Sequence, residues 1–242
     1  MTETRIGKLA LVPVPLAPIA VEATLPAATL AIVRAVDFVF AESPKSARAF
    51  LKSAGVTRAM QSIAVEAFDA TTTAADLRTR LAAVVAGRDA IVVSEAGAPG
   101  VADPGARLVR VAHQLGIQVL PCVGPSAILL ALMASGMEGQ RFAFHGYLPV
   151  DSAQLGARIK ALEHIALRDR ATQIFIETPY RNDRLLAALL NQCEAQSRLA
   201  VAADLTASNE WIRAATIAEW RRSPVTLGKR PAVFLIGGDT LA

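Results

Sequence analysis

Aromatic residues are scarce in this chain, at 5% of 242 residues, so its core must be filled by Ala, Val, Leu and Ile. Cysteine is scarcer still. Cys122 and Cys193 stand far apart and form neither a disulfide framework nor a zinc-ligand spacing. Both are expected as buried thiols in a reducing compartment, with no metal site. Charge is thin, at 19% against 53% hydrophobic residues, the opposite of a disordered chain. Long apolar runs are missing too. The longest, Ala127 to Ala134, is far short of the ~20 residues a membrane helix needs. The apolar N-terminal stretch is broken by Pro13, Pro15 and Pro18 and lacks a signal peptide's layout. The expectation is a cytoplasmic protein with no membrane partner. The formal charge of +4 tolerates nucleic acid without demanding it, and an ordinary arginine-rich surface is the simpler explanation.

The length suits one large domain or two modest ones. Residues 1–121 alternate strand and helix patterns. Strands are predicted at Leu9 to Val14, Val36 to Ala41, Ala90 to Val93 and Ile117 to Leu120. Helices are predicted at Thr24 to Arg34 with Thr24 as N-cap, Lys45 to Ala54, Asp76 to Ala86, and Arg107 to Gln114. Such alternation predicts a mostly parallel sheet with right-handed crossovers. Residues 122–242 place helices at Pro125 to Ala134, Leu155 to Leu167 and Asn182 to Asn191. Strands are expected at Arg141 to His145, Gln173 to Glu177, Leu199 to Leu205, Trp211 to Ala215 and Pro231 to Ile236. Two of these follow one another without a helix, which predicts a mixed α+β second domain. The expected fold class is therefore α/β in two domains, with a boundary near Pro121.

The densest chemical signal is Ser94-Glu95-Ala96-Gly97-Ala98-Pro99-Gly100-Val101-Ala102-Asp103-Pro104-Gly105. It follows a buried strand and precedes a helix, the place where open α/β sheets bind ligands. Its glycines let the backbone approach a ligand and adopt positive φ. Asp103-Pro104 reads as a helix start, a capping side chain followed by proline at the first helical position. A bare turn would need fewer such residues. No Gly-Lys-Ser/Thr follows and the spacing is not that of a dinucleotide fingerprint. A small zwitterionic ligand suits this loop better than a triphosphate. A second turn, Val123-Gly124-Pro125-Ser126-Ala127, follows the next strand and should lie on the same sheet edge, with Ser126 as helix cap or ligand contact.

These residues resemble a known family. The block from Glu95-Ala96-Gly97 to Asp103-Pro104-Gly105 resembles the Asp-Ala-Gly-x-Pro…Asp-Pro-Gly signature of the ribosomal RNA small-subunit (16S) 2′-O-methyltransferases, a branch of the tetrapyrrole methylase superfamily. Gly124-Pro125-Ser126-Ala127, Phe144-His145-Gly146-Tyr147-Leu148-Pro149, Glu177-Thr178-Pro179-Tyr180-Arg181 and Asp204-Leu205-Thr206 are similar to its later motifs, in order. The resemblance implies two α/β domains with S-adenosyl-L-methionine in the cleft between them, a homodimer, and ribosomal RNA as partner. Carried over by position, the donor site would use Pro13, Glu95, Ala96, Gly97, Pro99, Val101, Ser126, Ala127, Tyr147, Leu148, Leu205, Thr206, Pro231 and Ala232.

Departures fall on the substrate side. The family's Thr-Pro-Ile-Gly-Asn is Val12-Pro13-Val14-Pro15-Leu16 here, and its Ala-Glu-Asp-Thr-Arg is Ala41-Glu42-Ser43-Pro44-Lys45. A basic run is reduced to Arg158 and Lys160. Methyl transfer from a sulfonium needs little acid–base help, because the donor carries the chemistry. Orientation is the protein's larger contribution, worth roughly 7–11 kcal/mol. A ribose hydroxyl also needs a proton acceptor, and Glu42, Glu177 and Asp204 are the candidates. Each has a structural alternative: Glu177 can pair with Arg181, and Asp204 can cap the turn before Asn209. His145 reads as proton acceptor, substrate contact or satisfied strand histidine. His113, His164, Trp211 and Trp220 read as structural. The alternatives to RNA methylation are methylation of a tetrapyrrole or other small molecule, and donor binding without turnover.

Overall fold

Residues 90–93 show how the first sheet is covered. In the computed structural model, which describes residues 5–238, every residue of this strand is buried. Ala90 and Val92 face one apolar cluster and Ile91 and Val93 face another, as the two-residue period of a strand requires. A strand buried on both faces reads as a continuous apolar run and takes helices on each side.

The described residues divide after Ser126 into two compact units. The first contains β1 (Lys8–Val12), α1 (Ala27–Ala35), β2 (Phe38–Ala41), α2 (Pro44–Ser53), β3 (Ala64–Ala67), α3 (Ala74–Arg80), α4 (Ala82–Val85), β4 (Ala90–Val93), α5 (Gly105–Gln114) and β5 (Gln118–Pro121). Its sheet runs β3-β2-β4-β1-β5, with every pairing parallel. Leu30, Val33, Phe50 and Leu51 of α1 and α2 pack on one face. Leu77, Leu81, Val84, Leu108 and Val111 pack on the other.

The second unit contains α6 (Ala127–Ser135), β6 (Phe142–Tyr147), α7 (Ser152–Asp169), β7 (Thr172–Ile176), α8 (Asn182–Gln192), β8 (Arg198–Ala203), β9 (Trp211–Thr216), α9 (Ile217–Arg222) and β10 (Ala232–Gly237). The sheet order is β6-β7-β10-β8-β9. Only the β6–β7 pair is parallel; β10 lies antiparallel to β7 and β8, and β9 antiparallel to β8. This is the mixed sheet predicted from adjacent strands. Its main core joins α7 and α8 to Phe175, Val201 and Phe234, closed by Trp220. Trp220 is fully buried, donates its indole N–H to the Leu199 carbonyl at 2.9 Å, and meets Trp211 edge-on. Both tryptophans are packing anchors, as expected.

Several predictions from sequence need correction. Thr24 does not cap α1; it ends a short 3-10 turn, and Pro26 stands at the N-cap with no capping side chain. The helix expected over 76–86 starts earlier, because Thr73 and Asp76 form a reciprocal capping box, and it is interrupted at Leu81. β3 and α9 were not anticipated. β3 is a four-residue edge strand with partly exposed faces, which gives little periodicity. α9 is short, but its Thr216–Glu219 capping box was present in the sequence as Thr-x-x-Glu. Cys193 is buried and Cys122 only half-buried, both free. Burial pushes the Cys193 thiol up to about 12, so it is an inert packing group. Among the described residues, no helix is long and apolar enough to cross a membrane.

Candidate functional site

Because β1, β2, β4 and β5 are parallel, the segments that follow them all leave the same edge of the first sheet. The glycine-rich loop after β4 pairs there with the loop after β1. The Val14 N–H donates to the Gly97 carbonyl at 2.9 Å, and the Gly97 N–H returns a bond to Val14 at 2.8 Å. Gly97 has φ +76°, a left-handed conformation that a side chain resists, and a Cβ there would lie 3.3 Å from Leu16. The Ser94 hydroxyl donates to the Gly97 carbonyl at 2.9 Å and so fixes the turn from beneath. At Gly124 in the second turn, a Cβ would lie 2.6 Å from the Pro13 ring. The loops after β1, β4 and β5 are thus packed together, with Pro13 buried between the other two.

Asp103 does not cap α5 as expected. Pro104 takes the N-cap position without a side-chain bond. The Asp103 carboxylate accepts instead from Gly100 N and Gly105 N, both at 2.7 Å, closing the loop on itself. Gly105 permits this closure, since a Cβ there would lie 2.9 Å from Gly100 N. Burial raises the Asp103 carboxyl above its ordinary range. Glu95, Ala96 and Val101 remain exposed along the loop, while Pro99 is buried.

Glu42 leaves the same edge at the end of β2. Desolvation, and then the negative charges of Asp103, Glu95 and Asp69, raise its carboxyl above the ordinary carboxylate range. Ser43 caps α2 by accepting from Ser46 N at 3.2 Å, and the Ser46 hydroxyl donates to the Glu95 carboxylate at 2.8 Å. The departure from Ala-Glu-Asp-Thr-Arg therefore gives a helix cap tied to the glycine-rich loop. Sequence reasoning missed Ser46 and Ser94, for which only the Ser43-x-x-Ser46 spacing and Ser94's place at the strand end gave a hint.

Apart from Ser126 and Ala127, the remaining carried-over residues gather on one edge of the second sheet. β8 ends where β10 begins, with Ala203 opposite Ala232, and β6 and β7 end beside that point. Tyr147, Leu148, Glu177, Asp204, Leu205, Thr206, Pro231 and Ala232 all lie along this edge. Ser126 and Ala127 stand at the start of α6. The Asp204-Leu205-Thr206 turn is strained. Asp204 has φ +51° and Thr206 φ +69°. A β-branched residue there is a rare outlier, costing about 1–3 kcal/mol. The Thr206 Oγ1 is shielded from solvent and has no hydrogen-bond partner. A buried hydroxyl left unpaired is costly, so a strained turn presenting one fits a polar ligand group.

Two of the three candidate bases are engaged elsewhere. Glu177 accepts from Thr178 N at 2.6 Å and pairs with Arg181. Asp204 accepts from Asn209 Nδ2 and Arg230 Nε, both at 2.6 Å. His145 is satisfied on both ring nitrogens. A guanidinium only donates, so Arg158 at 3.1 Å makes Nδ1 the acceptor and leaves Nε2 to donate to Gln173 at 2.7 Å. Arg158 is thereby removed from the thin basic run. His113 and His164 are exposed helix residues.

The fold defines a class. The crystal structure of the methyltransferase CobJ superposes with a TM-score of 0.63 at 19% identity, covering 96% of this chain and 94% of that one. A uroporphyrin-III-C-methyltransferase from Thermus thermophilus gives 0.54 at 18%, covering 96% and 93%. This is the two-domain α/β fold of the tetrapyrrole methyltransferases. Residues 17–220 match the family described as Tetrapyrrole (Corrin/Porphyrin) Methylases, and the chain belongs to that family. Within it, the chain is similar to proteins named ribosomal RNA small subunit methyltransferase I. The Mesorhizobium japonicum protein is 39% identical over 137 residues, 57% of this chain and 45% of that protein. The Xylella fastidiosa (strain Temecula1) protein is 36% identical over 187 residues, 77% and 65%. The Escherichia coli O157:H7 protein is 29% identical over 235 residues, 96% and 78%. The chain thus spans about half to two thirds of the length of the first two relatives.

Proposed function

We propose that the chain is an S-adenosyl-L-methionine-dependent methyltransferase that methylates a ribose 2′-hydroxyl of small-subunit ribosomal RNA, in the cytoplasm and as a homodimer. The unpartnered Thr206 hydroxyl in its strained turn carries the donor reading, because it matches a position that the family resemblance assigns to the donor. In this reading Pro13, Glu95, Ala96, Gly97, Pro99, Val101, Ser126, Ala127, Tyr147, Leu148, Leu205, Thr206, Pro231 and Ala232 hold the donor. When bound, its sulfonium supplies the methyl group. The printed names of the relatives support RNA as the acceptor. So does α2, which carries Lys45, Arg48 and Lys52 exposed at helical spacing next to Glu42.

Glu42 is the base this reading favours. Glu177 and Asp204 are held in ion pairs, whereas Glu42 has its proton affinity raised by desolvation and then by its acidic neighbours. A carboxylate of raised pKa is a better acceptor for the hydroxyl proton. A base must be ionised, so activity is expected to fall as the pH drops through a value above the ordinary carboxylate range. Methyl transfer from tritiated donor to unmodified small ribosomal subunits should be measured against pH for wild type and Glu42→Gln. The variant should lose roughly 10²–10⁴-fold in kcat while keeping donor affinity. Full activity in Glu42→Gln would remove it as base. Donor binding with no RNA methylation, but transfer to a small-molecule extract, would favour the tetrapyrrole or small-molecule reading, and no transfer at all the non-catalytic one.

A further inference from the structure

The motif Glu177-Thr178-Pro179-Tyr180-Arg181 has a part to play beyond the donor and base. Its acid and its arginine satisfy each other, with the Glu177 side chain only 4% exposed. What the motif presents outward is Tyr180, 78% exposed. The ring sits in a 3-10 turn, Pro179–Arg181, between β7 and α8, and the Lys229 ammonium lies over it, 4.9 Å from its centroid.

Lys229 is itself held in place. The Asp183 carboxylate accepts from Leu227 N at 2.6 Å and Gly228 N at 3.1 Å. Asn182, fully buried, donates to the Arg230 carbonyl at 2.6 Å. The first two residues of α8 therefore clamp the chain on both sides of Lys229. The carboxylates around it are occupied: Glu177 by Arg181, Asp183 by backbone amides and Asp204 by Arg230. Among the described residues Lys229 makes no ion pair. The outcome is an exposed aromatic ring with an uncompensated cation beside it, on a backbone held at both sides of Lys229.

We propose that Tyr180 and Lys229 form a stacking platform for an unpaired base of single-stranded RNA, with Lys229 against the adjoining phosphate. This rests on the RNA reading above and adds to it a contact that distinguishes single strands from duplex. Bases are offered for stacking on aromatic side chains where the strand is unpaired, and any base has a π-face to offer. A cation without a protein partner is available to a phosphate. The clamp holds the backbone that carries Lys229, which lowers the part of the ordering cost that falls on the backbone. Thr178 and Lys229 beside the ring are exposed and polar, which suits a nucleotide better than an apolar protein surface.

The test is fluorescence anisotropy with a short labelled adenosine oligoribonucleotide and a duplex of equal length, on wild type, Tyr180→Ala, Tyr180→Phe and Lys229→Gln. Calorimetry with S-adenosylhomocysteine runs on the same samples. Tyr180→Ala should weaken single-strand binding roughly 5- to 150-fold, and Tyr180→Phe should stay within about twofold of wild type, since the ring stacks without the hydroxyl. Lys229→Gln should lower the salt slope by about 0.7. Wild-type RNA affinity in Tyr180→Ala overturns the platform and leaves the RNA reading standing. The RNA reading itself stands or falls on methyl transfer to the small ribosomal subunit, while a wild type that binds no single strand also overturns the platform. Loss of S-adenosylhomocysteine binding in Tyr180→Ala would also overturn it, by marking the segment as structural.

Discussion

Gly97 illustrates how one residue couples backbone conformation to the packing of two loops. Its φ of +76° and its two hydrogen bonds to Val14 hold the loop after β4 against the loop after β1. Left-handed backbone costs a non-glycine residue roughly 1–2 kcal/mol, and a branched side chain would also press on Leu16. Gly97→Val is therefore expected to leave a folded protein with unchanged far-ultraviolet circular dichroism and no measurable S-adenosylhomocysteine binding by calorimetry. Wild-type affinity would reduce the loop to a turn. The left-handed turn at Gly97 was legible, because the sequence sets glycine beside Ala98-Pro99 just after a buried strand. The work of Ser94 and Ser46 was not, since their partners come from segments that only folding brings together. Asp204 is a like case: its residue type fitted a base, and only folding brings Arg230 to it, whereas the pairing of Glu177 with Arg181, four residues on, was anticipated from the sequence.

At the scale of elements, α2 shows a substitution changing its role. Ser43-Pro44 in place of an acidic residue and threonine makes a strong helix start, a capping hydroxyl followed by proline at the first helical position. Ser43→Ala should destabilise the protein by about 1 kcal/mol. That corresponds to a fall in Tm of about 2–4 °C for a chain of this size, read from a thermal melt. An unchanged Tm would mean the cap is replaced by solvent. Helices with caps and strong spacing were predictable to within a few residues. β3 escaped because an edge strand with both faces partly exposed has no clear period, and the break at Leu81 escaped because it carries no glycine or proline.

At the scale of the whole molecule, α6 is apolar all round, a pattern that belongs to a helix covered on every side. It packs on β8, β9 and β10, yet Leu129 and Met133, four residues apart on its surface, are 51% and 79% exposed. A self-complementary contact through this face would cover them, as in an isologous homodimer. Light scattering at micromolar concentration is expected to give twice the chain mass, and Met133→Asp to shift it toward the monomer. A monomer mass for wild type would contradict the assembly.

The sequence by itself determined the class of the fold. Apolar strands alternating with capped helices can satisfy their backbone and bury their faces only as a parallel sheet with crossovers, and adjacent strands without helices only as a mixed one. It also located the glycine-rich loop, because glycine takes positive φ at the least steric cost, as Gly97 and Gly100 do there. The tertiary structure alone decided which charged groups stay available. The Asp204–Arg230 ion pair depends on a distance of a few ångströms between segments that sequence spacing does not fix, and Glu42 owes its raised pKa to desolvation and then to Asp103, Glu95 and Asp69 gathered around it by the sheet edge.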